Sequence, residues 1–520
     1  MSKKLAKKGH NVFAAIHLGS EKISLKIVEY RSFDNIKTLE FAERWVRIGE
    51  ETFKTGQVSL PTVREICELL NNYRRMMKEY GVSKHVVVGT TAMREARNRA
   101  FMIDQIYMAT GLVVEVIDMP LEIYYKFTSI AKTLKDADMS TNDSTLFADI
   151  SSGGLGITLV ENKQIKYQQN IHIGVIRVKE SFDKNQRADN TFNTALTEYI
   201  SSIVSPVHKH LEHFNVKRMV LTGSNTELLL RMLGIKENKN KIITVPTEKF
   251  STLYKSVIDM KLAKIMQEFD FTEHVAETVL PTIIFYQQLI ALSEVPELVF
   301  PADRFIDALV LLYVAKEKEH PWLEELDGEL IDFVHNIGKH YRYESAHAER
   351  VASFSCLIFD RLSKVYGLDS RAKLLLHVAA ILHDIGKFVN LRQHYFFSYR
   401  LILSTDIFGL SEEEKRVVAY AAYHHAKDFF STVNEGMLPV TRQQLSLVAK
   451  LSAILRLADA LDRSYRQKIT SCKIALKGQE MQITVSAKQD LSLERWTIED
   501  KSILFGEVFG IKPVLIEKSN

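Results

Sequence analysis

The chain has few cysteines and no excess of charge of one sign. Its three cysteines, Cys67, Cys356 and Cys472, lie far apart and lack CxxC spacing. This excludes a disulfide framework and a thiolate zinc site and indicates a reducing compartment. With 68 basic and 64 acidic residues, the net charge of +4 is too small to argue for nucleic acid. We expect no nucleic-acid partner.

Long apolar runs are also lacking. No stretch approaches the ~18 apolar residues that a membrane span requires, so no membrane contact is predicted. The first residues carry lysines but no apolar segment typical of a signal peptide. We therefore expect a cytoplasmic location. The length of 520 residues predicts about three or four domains, each with its own core.

Two segments of the first half, 13–30 and 146–161, share one pattern: an apolar run, a turn of small residues and a second β-rich run. When they are aligned so that His17 meets Asp149, each copy predicts a β-hairpin. Gly and Ser in such turns allow backbone N–H groups to approach phosphate oxygens. The pattern indicates either two homologous lobes whose turns face one cleft or two unrelated hairpins.

The coarse pattern predicts four regions. Strand and helix signals alternate through 1–133 and again through 134–320, which indicates two α/β lobes joined by the polar segment 134–144. Within the second lobe, helices are predicted from 246 to about 318. Amphipathic helices dominate 321–467, and 468–520 predicts a hairpin, a helix over 492–504 and a last strand.

The helical region contains histidines and aspartates in the order H…HD…D, at His347, His383–Asp384 and Asp459. A single histidine on an apolar helix is more often a core residue than a ligand. Four such positions on separate helices predict one site for a divalent transition metal in a bundle. His424 is a candidate for an extra ligand or a phosphate contact.

Several stretches carry a family resemblance over nearly the whole chain. They are TTAMREARN at 90–98, VEVIDMPLEIYYKF at 114–127, ADISSGGLG at 148–156, LTGSNTELL at 221–229 and LRLADALDRSYRQ at 455–467. They resemble the exopolyphosphatase/guanosine pentaphosphate phosphohydrolase (Ppx/GppA) family with a C-terminal HD domain. The resemblance implies an actin-like two-lobed α/β core (ASKHA, ribonuclease H-like), an all-α HD domain and a small α+β unit.

The resemblance also implies a function and residue roles. The expected enzyme is a phosphoric anhydride hydrolase that removes the terminal phosphate from polyphosphate or pppGpp, and it is expected to be a homodimer. By alignment with the family, Glu122 is the catalytic base and Asp149 binds Mg²⁺ or its water shell. The phosphate-binding residues implied in the same way are Gly19, Ser20, Arg94, Gly153, Gly154 and Gly223.

Seven positions depart from the family's pattern. His17 replaces an aspartate, Glu21–Lys22 an Asn-Ser pair and Gly156 a glutamate, while Ser151–Ser152 replaces two glycines and Tyr124 a basic residue. Three functions therefore stay open: phosphatase action in the Glu122 cleft, a metal-dependent HD phosphohydrolase, and a non-catalytic regulator that binds nucleotide or polyphosphate. The sequence does not rank polyphosphate against guanosine pentaphosphate.

Overall fold

The structure is a computed structural model that describes residues 11–139, 143–189, 191–223, 225–235, 241–426 and 437–518. The chain forms two compact units, which divide after Leu326. Within the described ranges, no helix combines the length and apolar character needed to cross a bilayer.

The first sheet of unit 1 has five strands in the order β3-β2-β1-β4-β5. These are β1 (Asn11–Leu18), β2 (Lys22–Ser32), β3 (Asn35–Trp45), β4 (Lys84–Gly89) and β5 (Glu115–Val116). The accompanying helices are α1 (Ile48–Thr55), α2 (Leu60–Glu79), α3 (Thr91–Glu95), α4 (Arg99–Thr110) and α5 (Met119–Asp136). Strand β1 is apolar on both faces, because α2 and α4 cover one side and other helices cover the opposite side.

The second sheet has six strands in the order β10-β11-β9-β6-β7-β8. These are β6 (Thr145–Ile150), β7 (Leu155–Glu161), β8 (Gln164–Ile171), β9 (Arg218–Gly223), β10 (Ile242–Pro246) and β11 (Glu297–Pro301). Strand β6 pairs antiparallel with β7 and parallel with β9, as β1 does with β2 and β4. The two-lobed core predicted from the repeated hairpins is confirmed.

The helices after β8 run from α6 to α13. They are α6 (Val175–Glu180), α7 (Lys184–Ala188), α8 (Phe192–Leu211), α9 (Thr226–Met232), α10 (Thr247–Val257), α11 (Leu262–Phe269), α12 (Glu273–Ile290) and α13 (Phe305–Glu317). The prediction of helices alone from 246 to 318 was wrong, because β11 lies between α12 and α13. Its residues Leu298–Phe300 are buried beside β9, where an apolar β-rich run gains a sheet partner.

Helix α13 packs on the first sheet rather than the second. Ile306 and Leu309 contact the face of β1 that carries Phe13 and Ala15. The predicted range 134–320 placed this helix with the second lobe. The chain instead returns to cover an apolar strand face that would otherwise meet water.

Unit 2 begins within a run of helices. They are α14 (Trp322–His340), α15 (Ser345–Tyr366), α16 (Ser370–Leu382), a 3₁₀ turn (Ile385–Phe388), α17 (His394–Ser404), α18 (Glu412–His424) and α19 (Arg442–Ala460). A three-stranded sheet, β12 (Ile469–Lys477), β13 (Glu480–Ala487) and β14 (Lys512–Glu517), follows with α20 (Ser492–Phe509). Helix α20 packs on α19, so this small sheet and the helices form one compact unit.

Candidate functional site

A cavity of about 390 Å³ lies in unit 1 and is lined by residues of both repeated hairpins. The turn after β1 contributes Gly19 and Ser20, and the end of β9 contributes Gly223. Gly223 has φ of 137°, and a Cβ there would lie 1.8 Å from the Ile150 carbonyl oxygen. Only glycine fits this corner of the wall.

Glu122 lies on the wall of this cavity, in the first turn of α5. Its carboxylate accepts a hydrogen bond from Thr91 Oγ1 at 3.1 Å and lies 3.5 Å from Arg94 Nη1. Burial raises the pKa of Glu122, and nearby Arg94 only partly opposes this. A carboxylate with a raised pKa, held by two donors, is suited to accept a proton from water.

Three residues predicted to bind phosphate do not line the described cavity. The Arg94 guanidinium donates instead to the Ile117 carbonyl oxygen at 2.6 Å and to Thr91 Oγ1 at 3.0 Å. A Cβ on Gly153 would lie 2.6 Å from Thr91 Cγ2, and one on Gly154 would lie 2.8 Å from Met119 Sδ. Arg94 therefore positions Glu122, and the two glycines permit close packing behind the wall.

Asp149 is paired with a cation that the sequence reasoning missed. Its Oδ1 receives both the Lys126 ammonium and, at 2.6 Å, the Thr222 hydroxyl. The carboxylate that was expected to bind Mg²⁺ is therefore already partnered by a side chain of the protein. Lys126 lies four residues after Glu122 on α5, so one helical face carries both side chains into the cavity. That spacing could have placed Lys126 beside Glu122, although it carries no information about the pairing with Asp149.

The replaced residues of the first turn are also partnered. His17 Nε2 contacts Thr90 Oγ1 at 3.1 Å, and burial, with Lys126 nearby, lowers the pKa of His17 to about 4. Glu21 is 8% exposed and accepts a hydrogen bond from Ser152 Oγ at 2.5 Å. Burial raises the pKa of Glu21. The carboxyl of one hairpin thus occupies the turn of the other.

In unit 2, the four predicted metal ligands come together. His347 on α15 has Nε2 3.3 Å from Asp459 Oδ1 of α19, and His383 Nε2, at the end of α16, lies 3.5 Å from Asp384 Oδ2. All four side chains are buried. His347 Nε2, His383 Nε2 and Asp384 Oδ1 have no hydrogen-bond partner among the described residues. Buried polar atoms left unpaired around one point fit a site for an ion.

The contacts behind these ligands fix which nitrogen faces the centre. His383 Nδ1 donates to the Ala380 carbonyl oxygen at 2.8 Å, which leaves Nε2 as the lone-pair nitrogen. His347 Nδ1 donates to Asp462 Oδ2 at 2.9 Å. The donor set of imidazoles and carboxylates suits a divalent transition metal.

His425 faces this centre, although His424 was the residue singled out from the sequence. His383, Asp384 and His425 form a second group able to hold an ion, overlapping that of His347, His383 and Asp459. His425 Nδ1 donates to the Ala422 carbonyl oxygen at 2.5 Å, so its Nε2 is also presented to the centre. His394 Nε2 lies 3.5 Å from Asp384 Oδ1 and 3.3 Å from His425 Nε2.

Comparison with known proteins gives consistent results for both units. The model of the Ppx/GppA phosphatase family matches residues 27–292, and that of Ppx/GppA phosphatase domain III matches residues 332–502. A guanosine-5'-triphosphate,3'-diphosphate pyrophosphatase of Pseudoalteromonas translucida is 23% identical over 469 residues, which cover 86% of this chain and 87% of that protein.

Solved structures share the fold of more than half of the chain. An exopolyphosphatase from Cytophaga hutchinsonii superposes with a TM-score of 0.52 at 17% identity, over 59% of this chain and 98% of that one. The Aquifex aeolicus Ppx/GppA family member gives a TM-score of 0.50 at 18% identity, over 59% and 99% of the two chains.

Proposed function

Because this chain belongs to the Ppx/GppA phosphatase family, we propose that its unit 1 cleft removes the terminal phosphate from inorganic polyphosphate or guanosine pentaphosphate. The observation that supports this proposal most directly is Glu122, a carboxylate that is only 13% exposed and lies on the cavity wall at the position of the family's base. The names of the pyrophosphatase and exopolyphosphatase relatives agree with this substrate class.

In the proposed reaction, Glu122 orients a water molecule and accepts its proton as the water oxygen attacks the terminal phosphorus. The new P–O bond forms as the anhydride P–O bond breaks, and inorganic phosphate and the shortened chain are released. Thr91 and Arg94 hold the carboxylate in place. The turns at Gly19–Ser20 and Gly223 let the phosphate chain approach the backbone closely.

Phosphate release from purified protein tests this function, with polyphosphate and guanosine pentaphosphate offered separately. We expect Glu122→Gln to lower the rate by about 10²- to 10⁴-fold, the range for loss of a general base. Glu115→Gln, an exposed carboxylate just before α5, is the matched control and should keep the wild-type rate. An unchanged rate in Glu122→Gln would exclude this cleft as the source of activity. Tight binding without release would support the regulator instead.

A second function is favoured by the unpaired atoms of unit 2. We propose that a divalent transition metal is held there by His347, His383, Asp384 and Asp459, with His425 as a further ligand. A bound metal of this kind lowers the pKa of a coordinated water and supplies a hydroxide nucleophile. The protein's own contribution is to hold the histidine tautomers through Ala380 and Asp462. This would make unit 2 an HD-type phosphohydrolase centre.

Metal content of the purified full chain tests the second function without any activity assay. We expect about one equivalent of transition metal in the wild type and little in His383→Ala, which removes a fully buried ligand. His340→Ala, an exposed histidine of α14, is the control and should retain the metal. Failure of metal-depleted wild type to take up Zn²⁺ or Mn²⁺ would argue against the centre.

A further inference from the structure

Lys126 is the best-placed cation in the unit 1 cleft. Helix α5 carries Glu122 and Lys126 four residues apart, and both side chains line the cavity. The side chains of Lys126 and its partner Asp149 are 12% and 14% exposed. Among the hydrogen bonds of the described residues, Lys126 donates only to Asp149. An ammonium has three donors, so two remain for a ligand in the cavity that Lys126 lines.

The cleft residues do not fit Mg²⁺. This ion requires oxygen ligands in near-octahedral geometry, usually one or two carboxylates together with water and substrate phosphates. Asp149 Oδ1 already accepts from Lys126 and Thr222, and Glu122 Oε2 accepts from Thr91, so these hydrogen bonds leave one oxygen of each carboxylate. At the position of the family's aspartate stands His17, an imidazole that hard Mg²⁺ disfavours.

The positive charge of Lys126 also argues against a need for Mg²⁺ in the cleft. Phosphate oxygens need a positive partner near the attacked phosphorus, and a divalent ion normally supplies it. In this cleft the ammonium of Lys126, which is part of the protein itself, pairs with Asp149. Asp149 restrains the ammonium, as Thr222 restrains Asp149, so the charge is held in place before substrate arrives.

We propose that Lys126 is the resident cation of the cleft and contacts the phosphate oxygens in place of a divalent metal, so that the cleft binds metal-free phosphoanhydride chains. The inference rests on the proposed phosphatase function, since it concerns the same cavity. It assigns a substrate form, the free polyanion rather than its magnesium complex, and a binding role to a residue outside the family's aligned positions.

Calorimetric binding of inorganic tripolyphosphate to the full chain, in EDTA and in excess Mg²⁺, tests the proposal. We expect the wild type to bind in EDTA with no gain of affinity from Mg²⁺. Lys126→Met should lose about tenfold or more in EDTA, the effect of one charge-assisted contact. Lys126→Arg should keep most of the affinity. Lys135→Met removes an exposed lysine of the same helix, paired with Glu325, and should bind as wild type does.

Mn²⁺ binding followed by electron paramagnetic resonance gives a readout independent of substrate. Because Lys126→Met leaves the Asp149 carboxylate without its cation, this variant should bind one more Mn²⁺ than the wild type does. Thermal unfolding of each variant establishes that the comparison is made between folded proteins. No additional Mn²⁺ in folded Lys126→Met, together with unchanged tripolyphosphate affinity, would reduce Lys126–Asp149 to a structural ion pair and overturn the proposal.

The remaining outcomes separate this inference from the phosphatase function. Metal-free binding that depends on Lys126, without phosphate release, would leave Lys126 in its role and reject the hydrolytic function. Release that depends on Glu122, with binding that requires Mg²⁺, would keep the function and reject Lys126 as the cation. If tripolyphosphate binds neither in EDTA nor in excess Mg²⁺, the proposed role of Lys126 as the phosphate-binding cation is also rejected.

Discussion

The cleft of unit 1 and the centre of unit 2 both gather ionisable side chains, but these side chains are partnered differently in the two places. In the cleft, Asp149 meets Lys126 and Glu21 meets Ser152, so the side chains satisfy one another. At the centre, His347 Nε2, His383 Nε2 and Asp384 Oδ1 are buried without hydrogen-bond partners. An unpaired buried polar atom costs about 1–3 kcal/mol. The unpaired atoms of the centre fit the proposed bound ion, whereas the side chains of the cleft are partnered within the protein.

The largest expected effect is that of a substitution at Gly223, in the wall of the cleft. Gly223→Ala places a Cβ 1.8 Å from the Ile150 carbonyl oxygen at φ of 137°, so the backbone of β9 must move. We expect a loss of unfolding free energy on the order of 3–5 kcal/mol, measured by urea unfolding. Gly234→Ala, also at positive φ but with no atom within 4 Å, should lose only about 1 kcal/mol. Equal losses would mean that backbone strain, not the contact, decides the effect.

The next largest effect should come from acid, which weakens the ion pair between Glu95 and Arg177 outside the cavity lining. Glu95 accepts from Arg177 Nη2 at 2.6 and 2.5 Å, and Arg177 Nε donates to the Gly153 carbonyl oxygen at 3.0 Å, which joins α3 to the second turn. Burial opposes ionisation of Glu95, but His172 and Arg177 lower its pKa from 4.5 to about 2. Because the folded-state pKa is depressed, this stability is present above pH 4.5 and is lost as pH falls through about 2.

The measurement is the free energy of unfolding between pH 4.5 and pH 2. We expect the wild type to lose about 2 kcal/mol over this window through Glu95, after allowance for solvent screening. Glu95→Gln should lack that part of the slope. Glu68→Gln, an exposed carboxylate of α2, should keep it. A slope identical in all three proteins would show that Glu95 does not link the two turns energetically.

The next prediction concerns Asp462, which lies behind the proposed metal ligands of unit 2. Asp462 accepts from His347 Nδ1 at 2.9 Å and so orients the imidazole without facing the centre itself. Asp462→Asn should weaken Zn²⁺ affinity by about 10- to 100-fold, as measured by competition with a chelating dye. Asp360→Asn, an exposed residue of the same helix as His347, should leave the affinity unchanged. Unchanged affinity in Asp462→Asn would place the metal elsewhere.

Many features of the cleft and of the centre could be predicted from the sequence, and those that could not have physical explanations. The paired hairpins were predictable because apolar runs and small-residue turns are local signals. The four residues His347, His383, Asp384 and Asp459 were predictable because their order is itself the signal. His425 was not separable from His424, since adjacent helical residues differ by about 100° in direction and helix α18 ends between them.

The partnership of Lys126 with Asp149 had no local signal. It joins α5 to β6, and only the packing of the second hairpin on that helix brings the two side chains together. Gly156 is explained in the same way: a Cβ there would lie 2.7 Å from Ile123 Cγ2, so α5 occupies the space of the family's glutamate. Side-chain pairs between distant elements follow from tertiary packing, which periodicity does not encode.

The smallest expected effect concerns the carboxyl that occupies the second turn. Glu21 accepts from Ser152 Oγ at 2.5 Å, where an incoming phosphate oxygen would compete for the same hydroxyl. Glu21→Gln keeps the shape and removes the negative charge, so tripolyphosphate affinity should rise about three- to tenfold. Burial raises the pKa of Glu21, so in the wild type the affinity should also rise as falling pH protonates this carboxyl. Glu21→Gln should remove that part of the pH dependence. If the variant binds tripolyphosphate more weakly at every pH, the Glu21 carboxyl supports the turn and does not compete with substrate. The hydrogen bond from Ser152 would then preorganise the cleft instead of blocking it.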